Sequence, residues 1–126
     1  MRQQIQTERA VKPKAPYSQA ILSSGRYVFI SGQGPVDPHT GNLVGESFED
    51  QAIRTFENLK AIAEASGASL SDFVKVNAYL NDMGHFAKFN EIYRRYFSEP
   101  YPARTTVHSA LVGMMIEVDG IAVLPD

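Results

Sequence analysis

The run Met115-Ile116-Glu117-Val118-Asp119-Gly120-Ile121-Ala122, continued by Val123 and Leu124, constrains the fold more than any other stretch of this chain. Read as a strand, it places Ile116, Val118, Ala122 and Leu124 on one face and Glu117, Asp119, Ile121 and Val123 on the other. Both faces are substantially apolar. The helices expected elsewhere in the chain can cover only one of them, so the other face is expected to meet a second subunit. Carboxylates on that face would then lie in a cleft between subunits rather than in open water.

Ser47 opens the clearest helix. It is a natural N-cap, Glu49 and Asp50 bring negative charge to the positive helix end, and Ala52, Ile53, Phe56, Leu59, Ile62 and Ala63 recur at three- and four-residue steps. Gly67 is the expected stop. A second helix is expected from Asn81-Asp82 to about Phe97, with Phe86, Phe89, Tyr93 and Tyr96 or Phe97 as its buried stripe, and Pro100 and Pro102 prevent its continuation. Between the helices Phe73 to Leu80 alternates, with Val74, Val76, Ala78 and Leu80 pointing one way and Lys75 and Asn77 the other. Upstream, Arg2 to Thr7 reads as an edge strand and Lys12 to Pro16 as a loop. Gln19 to Ser23 and Arg26 to Ser31 read as a hairpin about Ser24-Gly25. Tyr27-Val28-Phe29-Ile30 is apolar on both faces, the mark of a strand covered on both sides. Gly32 to Gly45 reads as a long loop, and two final strands fall near Arg104 to Ser109 and Met114 to Val123. This order predicts an α+β fold, one mixed sheet with two helices packed on one face, and residues 1–126 read as a single domain.

A chain of 126 residues with 44% hydrophobic content is long enough for a real core. A net charge of -2 argues against a dedicated nucleic-acid binder, which would normally be basic. With no cysteine, disulfides, thiolate catalysis and cysteine-ligated metals are excluded. His39, His85 and His108 lie far apart and form no ligand motif, so no metal site is expected. The polar stretch Met1 to Glu8 lacks the apolar run of a signal peptide, and no segment approaches the roughly 20 apolar residues that cross a bilayer, so a cytoplasmic protein is expected.

Two residues stand out chemically. Arg104, in Pro102-Ala103-Arg104-Thr105-Thr106-Val107, offers a planar fork that grips a carboxylate with two hydrogen bonds. Glu117, on a largely apolar strand, can position or activate water. Together they describe a small pocket that holds an organic acid at one end and delivers water to the other. The residues alone leave simpler roles open: a structural salt bridge for Arg104, a satisfied interface carboxylate for Glu117. Asp119 reads as structural. His108, on the strand face of Arg104 and Thr106, is a candidate second acid/base. Arg94-Arg95 reads as a solvated helix face rather than an RNA contact, and Gly32-Gln33-Gly34 lacks the spacing of a phosphate loop.

Ala15-Pro16-Tyr17-Ser18-Gln19-Ala20, Ile30-Ser31-Gly32-Gln33, Phe89-Asn90-Glu91-Ile92-Tyr93, Pro102-Ala103-Arg104-Thr105 and Ile116-Glu117-Val118-Asp119 occur in the order and rough spacing of the RidA (YjgF) family. Older labels call its members translation inhibitors or L-PSP endoribonucleases. The resemblance spans essentially the whole chain. It implies a chorismate-mutase-like fold, a homotrimer with clefts between neighbours, and cofactor-independent hydrolysis of reactive 2-imino acids or their enamine tautomers to 2-keto acids and ammonia. By that resemblance Arg104 binds the substrate carboxylate and Glu117 works with the attacking water. Tyr17, Ser31 and Asn90 line or support the pocket, with the arginine and the tyrosine drawn from different subunits.

Three positions depart from the family's deaminase branch. The Arg104-to-Glu117 spacing is two residues shorter, Thr106 stands where cysteine is frequent, and Gly113-Met114-Met115 replaces a charged turn. These bear on substrate range more than on fold. The resemblance therefore implies an imine deaminase of the 2-iminobutanoate/2-iminopropanoate type. The alternatives are a deaminase of another enamine such as 2-aminomuconate, a non-catalytic trimer that binds 2-keto acids, or an endoribonuclease, against which the acidic composition weighs.

Overall fold

The computed structural model describes residues 1–125. Six strands and two α-helices follow in the order β1 (Arg2–Ile5), β2 (Ala20–Ser23), β3 (Tyr27–Gln33), α1 (Phe48–Ala65), β4 (Phe73–Leu80), α2 (Phe86–Tyr96), β5 (Ala103–His108) and β6 (Ile116–Val123). Four strands form a mixed sheet ordered β3-β6-β4-β5, in which β4 and β5 run parallel and the other pairs antiparallel. The expected α+β architecture is therefore present, with α1 packed across β3 and β6 and α2 beside it.

Local chemistry explains the helices. The Ser47 hydroxyl accepts from the Asp50 amide at 3.1 Å, the predicted N-cap. At the other end the amides of Gly67 and Ala68 donate to Glu64 and Ala63 carbonyls, and Gly67 takes φ 89°, the left-handed stop that glycine adopts without strain. Ala52, Phe56, Leu59 and Ala63 are fully buried, and burying a side chain the size of Phe56 or Leu59 contributes about 1.5–3 kcal/mol. The second helix begins later than expected. Asp82 accepts from the Gly84 amide at 2.8 Å and caps a 3-10 turn at Met83–His85, so the α-helix opens at Phe86. Its stripe of Phe89, Ile92 and Tyr93, with Phe97 just beyond, is buried and meets Phe56 of α1.

Three strand expectations need correction. β2 pairs with β1, not with β3, which instead joins β6. At Ser24-Gly25, Gly25 takes φ 134° and the Ser24 amide donates to Met1 O, so the turn carries the chain from one ladder into another. In β4 the register slips between Phe73 and Lys75, which takes Val74 out of the core row and puts Phe73 in it. The Phe73 ring lies against Gly120, where a Cβ would come within 2.4 Å of it, so glycine at 120 is a packing requirement. Finally, β3 is covered on one side only within the chain. Ile30 is buried, whereas Phe29 on the opposite face is 75% exposed and Tyr27 is also exposed.

The core thus lies between the sheet and the helices, with Val76, Ala78, Leu80, Ile116, Val118 and Ala122 facing it. The other sheet face carries Tyr27, Phe29, Val107 and the half-buried Ile121, and no helix covers it.

Candidate active site

Arg104 stands opposite Val76 in the β4–β5 ladder, on the face that meets the helices. The entry to β5 is pinned by Ser18, whose amide donates to Pro102 O at 3.1 Å and whose hydroxyl donates to Tyr101 O. Gln4 in turn donates to the Ser18 hydroxyl at 3.2 Å. This clasp sets Tyr17 over the Arg104 guanidinium, 5.5 Å from carbon to ring centroid. Three rings of α2 complete the enclosure: Tyr93 at 4.8 Å, Phe89 at 5.0 Å and Phe86 at 5.9 Å.

Among the described residues Arg104 pairs with no carboxylate. Its Nη1 is buried with no acceptor, and burial draws its pKa down from the usual arginine value, only partly opposed by the Tyr93 and Tyr17 hydroxyls. An arginine titrates so far above neutrality that it stays charged. Thr106 Oγ1, the next position on the same strand face, is also buried and unpaired, as are Asn90 Oδ1 and the Tyr93 hydroxyl. A cavity of about 190 Å³ opens here, lined by Tyr17, Phe86, Arg104 and Thr106. A half-buried cation with no counter-ion among the described residues, beside further unpaired polar atoms, has the chemistry to receive a small anion.

Glu117 belongs to the opposite face. It pairs across the ladder with Tyr79, and Asp119 with Asn77. Asp119 is fully engaged, accepting from Asn77 Nδ2 at 2.8 Å and from the Tyr79 hydroxyl at 3.1 Å. Burial first, then Asp119 and Glu117, raise the Tyr79 pKa, so this phenol stays a donor at neutral pH. The Glu117 carboxylate makes no hydrogen bond or ion pair among the described residues. It lies against the backbone of Gly32: a Cβ there would fall 2.5 Å from Glu117 Oε2. Ser31, exposed, is the neighbouring residue in the irregular stretch of β3 between Ile30 and Gln33.

The five residues singled out from the sequence therefore fall into two groups. Arg104 and Tyr17 come together on the helix face, with Asn90 one helical turn from Phe86 on α2, and Glu117 lies on the open face against Gly32, the neighbour of Ser31. Arg104 and Glu117 lie two strands apart, about 10 Å by strand spacing, and on opposite sides of the sheet. One small acid cannot touch both within a chain. The expectation that the arginine and tyrosine come from different subunits is corrected as well, because Tyr17 lies over Arg104 of its own chain.

Sequence reading missed the enclosing rings and Gly32. Phe86, Phe89 and Tyr93 were legible as a buried stripe, but nothing in their spacing says that an arginine sits beneath them. His108 is exposed at the far end of β5 and lines no cavity with Arg104. Arg95 pairs with Glu91 at 3.1 Å and Glu49 at 3.3 Å on the helix surface. No cluster of metal-ligating side chains occurs among the described residues.

Comparison with known proteins places the chain in a family. The family model described as Endoribonuclease L-PSP matches residues 7–124. A RutC family protein of Pyrococcus horikoshii is 48% identical over 124 residues, which cover 97% of this chain and 98% of that protein. A 2-iminobutanoate/2-iminopropanoate deaminase of Dermatophagoides farinae is 38% identical over 122 residues, covering 95% and 94%. The crystal structure of RidA from an Antarctic Psychrobacter superposes with a TM-score of 0.75 at 44% identity, covering 97% of this chain and 99% of that one. By that match over most of its length and by these relatives, the chain, with its mixed sheet and two helices, belongs to the RidA family, the group whose model is described as Endoribonuclease L-PSP.

Proposed function

We propose that this protein hydrolyses reactive 2-imino acids of the 2-iminobutanoate/2-iminopropanoate type to the corresponding 2-keto acids and ammonia. The observation that carries the reading is Arg104, a half-buried guanidinium whose buried Nη1 is unpaired and which has no acidic partner among the described residues, facing a cavity of about 190 Å³. That volume suits a short acid, and the fork suits its carboxylate. The name of the Dermatophagoides farinae relative supports the same class of substrate.

In this reading the reaction centre is completed between copies. Arg104, Tyr17, Asn90 and Thr106 of one subunit hold the acid, while Glu117 and Ser31 arrive on the uncovered sheet face of a neighbour. The exposed Phe29, Tyr27 and Val107 on that face support self-association, and the family resemblance implies a homotrimer. Water adds to the C=N carbon, the nitrogen takes a proton, and the carbinolamine collapses to a C=O bond with loss of ammonia. Glu117 serves as base toward the water and as acid toward the departing nitrogen. The substrate is already reactive, so orientation with one acid/base group is sufficient, and the overall change consumes only water. Asp119, held by Asn77 and Tyr79, stiffens the strand that presents Glu117.

A second reading, a keto-acid-binding protein without turnover, draws on the same separation of Arg104 from Glu117. The two are told apart by following ammonia release from imines generated freshly by an amino-acid oxidase. Wild type should accelerate release, and Arg104→Ala and Glu117→Gln should both abolish the acceleration. Glu117→Gln should retain keto-acid affinity. A folded wild type that binds pyruvate but leaves the imine decay rate unchanged would favour the binding reading.

A further inference from the structure

Arg104 poses a physical problem that the family reading does not solve. Removing a guanidinium from water is costly, and proteins usually compensate with a carboxylate. A carboxylate here would occupy the same fork that the substrate must use. None is present among the described residues; four aromatic rings are.

We propose that Phe89 and Tyr93 of α2, assisted by Phe86, are positioning residues that take the place of a counter-ion: they hold the Arg104 guanidinium oriented and unoccupied for an incoming carboxylate. The inference rests on Arg104 being the carboxylate anchor. A guanidinium carries its five N–H donors in its own plane, and a ring attracts the cation through its face. Ring contacts therefore offset desolvation without consuming a donor, whereas an acid would take two.

The distances fit that role. All four centroids lie within the range of about 6 Å over which such attraction acts, and the two nearest, Tyr93 at 4.8 Å and Phe89 at 5.0 Å, are fully buried. Neither ring can swing away. Phe89 packs against Phe56 with centroids 6.1 Å apart, and Tyr93 stacks on Phe97 at 4.4 Å. Tyr17 and Phe86, more exposed and farther off, form the rim through which a ligand enters. α2 thus acts as a rigid backing for the arginine, and the orphaned Nη1 marks the donor left over for the ligand.

The test measures binding of pyruvate, a carboxylate that is not turned over, by titration calorimetry. Phe89→Leu and Phe86→Leu keep apolar bulk and remove the π face; each should weaken pyruvate binding about tenfold while leaving the binding stoichiometry near one per chain. Tyr93→Leu removes the ring and its hydroxyl together and should weaken binding at least as much. A merely structural role would instead lower the stoichiometry at unchanged affinity. If Phe89→Leu fails to fold, Phe86→Leu at the half-buried rim carries the test. Folded leucine variants that bind pyruvate as tightly as wild type would overturn the proposal and leave the carboxylate anchor standing. A wild type that does not bind pyruvate would sink the anchor and the proposal together.

Discussion

If each reaction centre takes Arg104 from one chain and Glu117 from another, two inactive variants must restore activity to each other. Arg104→Ala removes the anchor from one face of the sheet, and Glu117→Gln removes the acid/base from the other. The two sites are separated by about 10 Å of strand spacing and by the sheet itself, so neither lesion should disturb the other's surroundings. Oligomers made wholly of either variant should be inactive. In randomly mixed oligomers at equal dose, a centre is intact only where a Glu117→Gln chain donates Arg104 and its neighbour, an Arg104→Ala chain, donates Glu117. Each condition is met half the time, so recovery should reach about one quarter of wild-type activity per centre, whatever the ring size. The reciprocal experiment sharpens the distinction. Mixing wild type with the double variant should again give about one quarter if centres are shared, against about one half if each chain carries its own. The assay is co-expression with two affinity tags, ammonia release from freshly generated 2-iminopropanoate by the whole unselected oligomer population, and tandem capture of a separate sample to verify that the chains have mixed. Verified mixed oligomers of the single variants with no activity, together with the one-half value in the second experiment, would refute the division of the site between chains.

Three further outcomes follow from particular contacts. Gly32→Ala places a methyl group 2.5 Å from Glu117 Oε2, and displacing the carboxylate by that much should cut kcat about 10- to 100-fold with little change in Tm; an unaltered kcat would show that Glu117 does not act from its place against Gly32. Phe29→Lys puts a charge at a side chain that is 75% exposed on the uncovered sheet face, and sedimentation should show the oligomer falling to single chains if that face is the subunit contact. Burial, with the Glu57 hydrogen bond second, pushes the Tyr96 hydroxyl up to about 12, and Tyr79 and Tyr93 are raised too. Unfolded tyrosines ionise near 10, so above that pH the folded state binds more protons and its stability falls as pH climbs, while below it this contribution is fully present. Urea midpoints measured from about pH 9 to about pH 11.5 should therefore decline, and a flat profile would contradict these shifts.

The sequence made the helices legible because their signals are local. Ser47, Gly67 and the Ala52-Phe56-Leu59-Ala63 stripe each report on residues within a turn or two. Strand partners were less legible, since pairing depends on residues far apart. β2 alternates as plausibly beside β3 as beside β1, and only the whole sheet decides that β3 completes β6. Val74 was misplaced for the same reason: its neighbours obey alternation, and the slip at Phe73 goes with a ring packed against Gly120, remote in sequence. Period-two alternation sorts residues onto faces only while the register is unbroken.

The candidate site shows where such reading stops. Arg104 and Glu117 were recognisable by residue type and resemblance, but their relation was not, because the face each occupies depends on the register of two ladders that meet at β4. Once those registers are known, the two residues cannot serve one small substrate from the same chain. The sheet is apolar on both sides and, among the described residues, carries an unpaired arginine on one face and an unpaired glutamate on the other, the arrangement that the proposed shared centre requires. Covering the exposed Phe29 face with a second copy would bury that apolar surface and could bring one chain's Glu117 toward another chain's Arg104. In this reading the association that completes the fold's burial is also the one that assembles the chemistry, so loss of subunit contact and loss of activity should coincide even for substitutions that touch neither Arg104 nor Glu117.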